Sequence, residues 1–136
     1  MKNRITVGDT FEYPFSFVQK DVIKFAEASG DFNPIHLDEE FAKNSIFRKT
    51  IIHGFLGGSV FSKVLGTIFP GNGTIYLKQD LSFYKPMFTN QNYKATFEII
   101  DSDVSKNRAV VKTIILDDLN EIVIKGEALI KHSSIY

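Results

Sequence analysis

The segment 53–71, HGFLGGSVFSKVLGTIFPG, carries Phe55, Leu56, Val60, Phe61, Val64, Leu65 and Ile68, which leave few polar positions anywhere on a helical circumference. A helix that is apolar on every side belongs in the interior. Gly57, Gly58 and Gly66 would each cost about 1 kcal/mol relative to alanine in an exposed helix. Their presence is read as close approach by another backbone, such as a sheet wrapped around the helix. Pro70 and Gly71 are expected to end it.

The chain beyond this helix supplies the wrapping. Ile75, Leu77, Leu81 and Phe83 share one face of an expected strand, and Tyr93, Ala95, Phe97 and Ile99 share one face of the next. Val111, Thr113 and Ile115 form a third set opposite Val110 and Ile114, and Ile122, Ile124, Ala128 and Ile130 form a fourth. Alternation with period two marks strands that face a core on one side. The turn-rich breaks TNQN, DSDVSKN and DDLN imply an antiparallel meander. Ahead of the helix, FEYPFSFV (11–18) reads as a strand whose Pro14 suits an edge. A helix over 20–29 follows, with its buried stripe on Val22, Phe25, Ala26 and Ser29 and Gly30 as its C-terminal cap. Asp38 is expected to cap a short helix, DEEFAKN. These elements define an α+β fold, an antiparallel β-sheet wrapped around a long central helix, as one domain over 1–136.

Sixteen basic residues balance sixteen acidic ones, so there is no electrostatic footprint for a nucleic-acid backbone and no nucleic-acid partner is expected. No window approaches the roughly 18 apolar residues of a membrane span, and the N-terminus lacks the apolar stretch of a signal peptide. A cytoplasmic protein without a membrane partner is therefore expected. The chain has no cysteine, and its three histidines are widely spaced, which argues against a metal site.

Residues 29–42, SGDFNPIHLDEEFA, place an acid, an amide, a proline and an imidazole within six positions. Two readings are open from these residues alone. In one, Asn33 and Pro34 make a turn, Asp31 bonds nearby amides and His36 is a half-buried imidazole with a partner. In the other, Asp31 and His36 are a reaction centre. Five residues apart on a continuous helix they would point about 140° away from each other, but a proline-containing turn lets them converge. A carboxylate and an imidazole, with ordinary pKa values of about 3.9 and 6.5, form a pair suited to moving protons of a water molecule near neutral pH.

The run Ala28-Ser29-Gly30-Asp31-Phe32-Asn33-Pro34-Ile35-His36, followed by five residues and Ala42, resembles the signature of the R-specific enoyl-CoA hydratases, the MaoC-like or hydratase 2 branch of the hot-dog fold. The likeness continues through Ile52-His53-Gly54 at the helix entry, Ser59 and Ser62 within it, Pro70-Gly71-Asn72-Gly73 after it, and Leu81-Ser82-Phe83 followed by Pro86.

The resemblance implies a single hot-dog domain that adds water to a trans-2-enoyl-CoA, giving the (R)-3-hydroxyacyl-CoA, and runs the reverse dehydration. It implies that Asp31 and His36 hold and activate the water, that Asn33 helps to orient the site, and that the Gly54 amide receives the charge developing on the thioester oxygen. Ser62 would join the polar network. It further implies a homodimer, coenzyme A thioester as substrate, and no separate cofactor. His53 is read as serving the turn into the helix, His132 as a surface residue, and Arg48 and Lys49 as a solvated basic pair. The alternatives are a hydroxyacyl-[acyl carrier protein] dehydratase, a thioesterase of the same fold, and a non-catalytic acyl-thioester-binding subunit.

Overall fold

The computed structural model describes residues 4–135. Strand β1 (Thr10–Phe15) leads to helices α1 (Gln19–Ser29), α2 (Pro34–Leu37), α3 (Glu39–Lys43) and α4 (Gly54–Thr67). Strands β2 (Ile75–Gln79), β3 (Ser82–Phe83), β4 (Tyr93–Asp103), β5 (Arg108–Leu116) and β6 (Ile122–Lys131) follow. All pair antiparallel in one sheet, in the order β1-β4-β5-β6-β2, with β3 also on β6. The sheet stays open, with β1 and β2 at its edges, and Pro14 lies on the edge strand β1 as expected. This is the α+β hot-dog arrangement of helix and antiparallel sheet.

The long strands explain the core. Tyr93, Ala95, Phe97 and Ile99 of β4, Val111, Thr113 and Ile115 of β5, and Ile124, Ala128 and Ile130 of β6 are all buried. They meet Leu56, Val60, Phe61, Val64 and Leu65 of α4, with the Phe61 ring edge-on to Phe97 at 5.8 Å. Burying a side chain such as Phe61 is worth roughly 1.5–3 kcal/mol, so α4 is fixed chiefly by this face.

Five expectations need correction. Helix α4 ends at Thr67, before Pro70, where Ile68 and Phe69 both donate to the Val64 carbonyl. It is also not buried all round: Phe55 is 69% exposed, and Ser59 and Ser62 lie on the same open strip. The glycines of α4 face side chains rather than backbone. A Cβ on Gly57 would sit 2.7 Å from Met87 Sδ, one on Gly58 would sit 3.1 Å from Leu81, and one on Gly66 would meet nothing within 4 Å.

The expected strand over 75–83 is broken. A bulge between Tyr76 and Lys78 shifts the alternation, so Ile75, Leu77 and Phe83 are exposed while Tyr76 turns inward. The Tyr76 hydroxyl donates to Gln79 Oε1, and burial pushes its pKa up to about 12. A second shift, opposite Ile115 and Leu116, leaves Ile122 partly exposed and buries Val123 instead.

The backbone contact foreseen for α4 occurs on β6. A Cβ on Gly126 would lie 1.9 Å from the Asp80 carbonyl oxygen. The Asp80 N–H donates to the Glu127 carbonyl at 3.1 Å, and Asp80 Oδ1 accepts the Glu127 N–H at 3.2 Å, so the break between β2 and β3 is anchored onto this glycine. Gly126→Ala is predicted to destabilise by about 1–3 kcal/mol, as overpacking against backbone does. Gly66→Ala is predicted to stabilise by up to about 1 kcal/mol. Denaturant melts of the two variants check this pair, and equal shifts of the same sign would contradict it.

Candidate active site

Helix α1 closes at Gly30, whose φ of 81° lies in the left-handed region that glycine adopts without steric penalty. A chain of short-range bonds then turns the backbone. The Ser29 hydroxyl donates to the Phe25 carbonyl at 2.7 Å and accepts the Asp31 N–H at 3.1 Å. Asp31 Oδ1 accepts the Asn33 N–H and Asn33 Oδ1 accepts the Ile35 N–H, both at 3.2 Å. Each side chain thus stands in for a backbone turn partner. Asn33 is the N-cap of α2, and Pro34 fills the first helical position, where its missing N–H is no loss. Asn33 thus caps the one-turn helix that carries His36.

His36 is 8% exposed, and its Nδ1 lies 2.8 Å from the Ile51 carbonyl oxygen. A carbonyl only accepts, so Nδ1 carries the proton and Nε2 keeps a lone pair. The Gln19 side chain donates to the His36 carbonyl at 3.0 Å, holding α2 against the start of α1.

His53, read from sequence as a turn residue, is the component that sequence reasoning missed. It is the N-cap of α4 but makes no capping bond with its side chain. Its ring, 1% exposed, stacks on that of His36 with centroids 3.8 Å apart and planes 29° from parallel. The Phe25 ring lies 4.8 Å from it. Its Nε2 donates to the Asp31 carbonyl oxygen at 3.0 Å, and its Nδ1 is buried without a partner. The signal in the sequence was a histidine directly before the Gly54 of a buried helix entry.

One donor atom from each of Asp31, His36 and His53 lies within 4.8 Å of the others. Two of the three histidines judged widely spaced along the chain, His36 and His53, are thus adjacent in space. Such a cluster has the spacing to hold a metal ion. The same spacing suits one bridging water, because two ordinary hydrogen bonds of about 2.6–3.2 Å span it. Both imidazoles already donate to backbone carbonyls, His36 through Nδ1 and His53 through Nε2.

Burial, above all, pushes the His36 pKa below the usual 6.5; nearby His53 adds to this, while the Ile51 carbonyl and Asp31 oppose it. The folded chain therefore takes up this proton less readily than the unfolded chain does.

Gly54 opens α4, and its N–H makes no hydrogen bond among the described residues. The free amide and the positive end of a 14-residue helix face the same way. The Phe83 ring would lie 2.7 Å from a Cβ at Gly54, so a side chain there would have to displace that ring. Gly54 also lines an apolar cleft of about 460 Å³, together with Ile51, Phe55, Phe83, Met87 and Ile124.

Ser62 lies apart from this cluster. It is exposed on α4, eight residues or about 12 Å along the axis from Gly54, and makes no hydrogen bond among the described residues. Ser59 bonds back to the Leu56 carbonyl. Lys49 is exposed as expected, with its Nζ 4.1 Å from the Phe88 ring centroid. His132, expected at the surface, is half-buried and reaches the Asn72 carbonyl oxygen with Nε2 at 2.8 Å. Among the described residues, no helix is long and apolar enough to cross a membrane.

The fold agrees with what the chain is similar to. Residues 2–119 match the MaoC-like domain, and the chain belongs to that family. It is 38% identical over 127 residues to an (R)-specific enoyl-CoA hydratase of Aeromonas caviae, covering 93% of this chain and 95% of that protein. It is 33% identical over 130 residues to a mitochondrial 3-hydroxyacyl-[acyl-carrier-protein] dehydratase of Arabidopsis thaliana, covering 93% of this chain and 77% of that one. Among solved structures, the (R)-hydratase from A. caviae involved in PHA biosynthesis superposes with a TM-score of 0.90 at 38% identity, covering 93% of this chain and 96% of that one.

The lowered His36 pKa has a stability consequence. The unfolded chain binds the proton first, so stability falls as pH drops from about 6.5 to the folded-state value and levels off below it. Chemical denaturation across that window is predicted to show this loss in the native sequence and less of it in His36→Asn. Identical pH slopes would contradict the assignment.

Proposed function

We propose that the chain catalyses reversible hydration of a trans-2-enoyl-CoA to the (R)-3-hydroxyacyl-CoA. The observation that carries this reading is the neutral His36, with Nε2 free, beside the Asp31 carboxylate and near an unused Gly54 amide at an apolar cleft. Its likeness to an (R)-specific hydratase along nearly the whole of both chains supports it.

Water attacks C3 poorly unless a base takes its proton, and the carbanion-like C2 must then receive one. In the proposed site the water sits between Asp31 and His36. This pair takes one proton from water and delivers one to C2, so addition leaves the enzyme unchanged. As C3 is attacked, negative charge moves to the thioester oxygen. There the Gly54 N–H and the α4 dipole stabilise it, an effect worth several kcal/mol where a donor is preorganised. The acyl chain extends into the cleft lined by Phe55, Phe83, Met87 and Ile124. The reaction needs no cofactor beyond the coenzyme A carried by the substrate.

We place this activity in a homodimer. Phe55, Ser59 and Ser62, with Lys63 and Thr67, leave an open side on a helix whose other face is sunk in the core, and a second copy would cover it. Ser62 then meets the partner rather than Asp31 and His36.

The carrier has a second candidate, because an acyl-carrier-protein dehydratase is also similar over 93% of this chain. Parallel assays on crotonyl-CoA and on the same acyl group attached to acyl carrier protein separate the two. Faster turnover of the coenzyme A thioester is expected. Asp31→Asn keeps the Oδ1 that accepts from Asn33, so it tests charge rather than folding. Asp31→Asn and His36→Asn are each predicted to lower the rate by at least about 10²-fold with the fold intact. Near-normal turnover in both would overturn the mechanism.

A further inference from the structure

His53 contacts both members of the proposed pair, and nothing in the mechanism above uses it. One edge of its ring holds the Asp31 backbone, with Nε2 donating to the carbonyl at 3.0 Å. One face supports the His36 ring at 3.8 Å, and Phe25 from α1 also packs against it. The ring is 1% exposed, and its backbone runs directly into Gly54. A single side chain therefore touches the acid, the imidazole and the helix entry.

We propose that His53 is a positioning residue that sets Asp31 and His36 at one another's distance and holds both in register with the Gly54 amide. The inference rests on the hydratase reading and extends it. The Asp31 turn is exposed and, among the described residues, its other hydrogen bonds stay within residues 25–36. The bond from His53 joins that turn to the core. His36 has its own anchor at Ile51, but one hydrogen bond leaves the ring free to rock about it. Stacking on a fixed ring removes that freedom. A shift of about 1 Å in a catalytic group is enough to cost on the order of 10²-fold in rate.

The unpartnered Nδ1 fits the same role. With Nε2 held by the Asp31 carbonyl, the ring is oriented by that bond and by its stacking on His36. The titratable groups against His53 are Asp31, from the turn after α1, and His36, from α2; α1 presents the uncharged Phe25.

Three variants separate the two contacts. His53→Gln keeps a donor within reach of the Asp31 carbonyl and removes the ring face. His53→Phe keeps the ring face and removes the donor. His53→Ala removes both. With crotonyl-CoA, kcat per folded protein is expected to fall about 10-fold in each of the first two and about 100-fold in His53→Ala, with KM within threefold of the native value. A merely structural role would lower the folded fraction and leave kcat per folded molecule unchanged, and that result overturns the proposal. Nitrogen-15 NMR of the imidazoles gives a readout independent of turnover. His36 is expected as the Nδ1–H tautomer in the native chain and as a mixture with Nε2–H in His53→Ala. An unchanged tautomer in His53→Ala overturns the inference even if the native chain hydrates crotonyl-CoA. If the native chain does not, the hydratase reading fails, and the same spectra still decide whether His53 positions His36.

Discussion

Residues 51–54 are gripped from both sides, and the site depends on that grip. The Ile51 N–H donates to the Ile35 carbonyl at 3.1 Å, and the Ile51 carbonyl accepts from His36 at 2.8 Å. The Ile52 N–H donates to the Met87 carbonyl at 2.8 Å, fixing the segment to the chain leading into β4. His53 reaches back to Asp31, and Gly54 begins the buried helix. Four consecutive residues thus connect the turn that bears the acid, the one-turn helix that bears the imidazole, and the core. The core packing of α4 makes this segment rigid, and the rigid segment locates groups that lie 22 residues apart in sequence.

Burial gives the arrangement its chemistry as well as its precision. Two imidazoles in contact would repel if both were charged, and desolvation disfavours even one charge. His36 donates to a carbonyl through Nδ1 and burial keeps its pKa low, so Nε2 is poised as a proton acceptor while the Asp31 carboxylate stays at the solvent-facing edge. In the proposed reaction the adjoining apolar cleft would keep water from the thioester end, where the amide and dipole of α4 act most strongly. The positive potential for the oxyanion and the base for the water are, in that proposal, assigned to separate elements.

Much of this was legible in the chain before its structure was considered. The apolar helix, the strands alternating with period two, the edge strand with Pro14 and the Gly30 cap all follow from local patterns with a strong physical cause. The turn at Asn33-Pro34 was legible for the same reason, and with it the convergence of Asp31 and His36. What escaped was set by long-range contact. The stacking of His53 on His36 depends on how the α4 entry docks against α2, and no spacing encodes that. The bulge at Tyr76 and the Asp80 contact with Gly126 arise from pairing with β6, so the strand over 75–83 looked continuous. Phe55, Ser59 and Ser62 were counted into a buried helix because composition does not show which strip the sheet leaves open.

The account turns on whether this chain carries out the proposed addition, with the stereochemistry implied by a fixed water on one side of the substrate. The most direct measurement is incubation of native protein with trans-2-butenoyl-CoA, followed by loss of the enoyl ultraviolet absorbance and chiral analysis of the product. The account predicts conversion to equilibrium with (R)-3-hydroxybutyryl-CoA, and the same mixture when that product is the starting material. Absence of conversion, release of free coenzyme A in its place, or formation of the S product would contradict it.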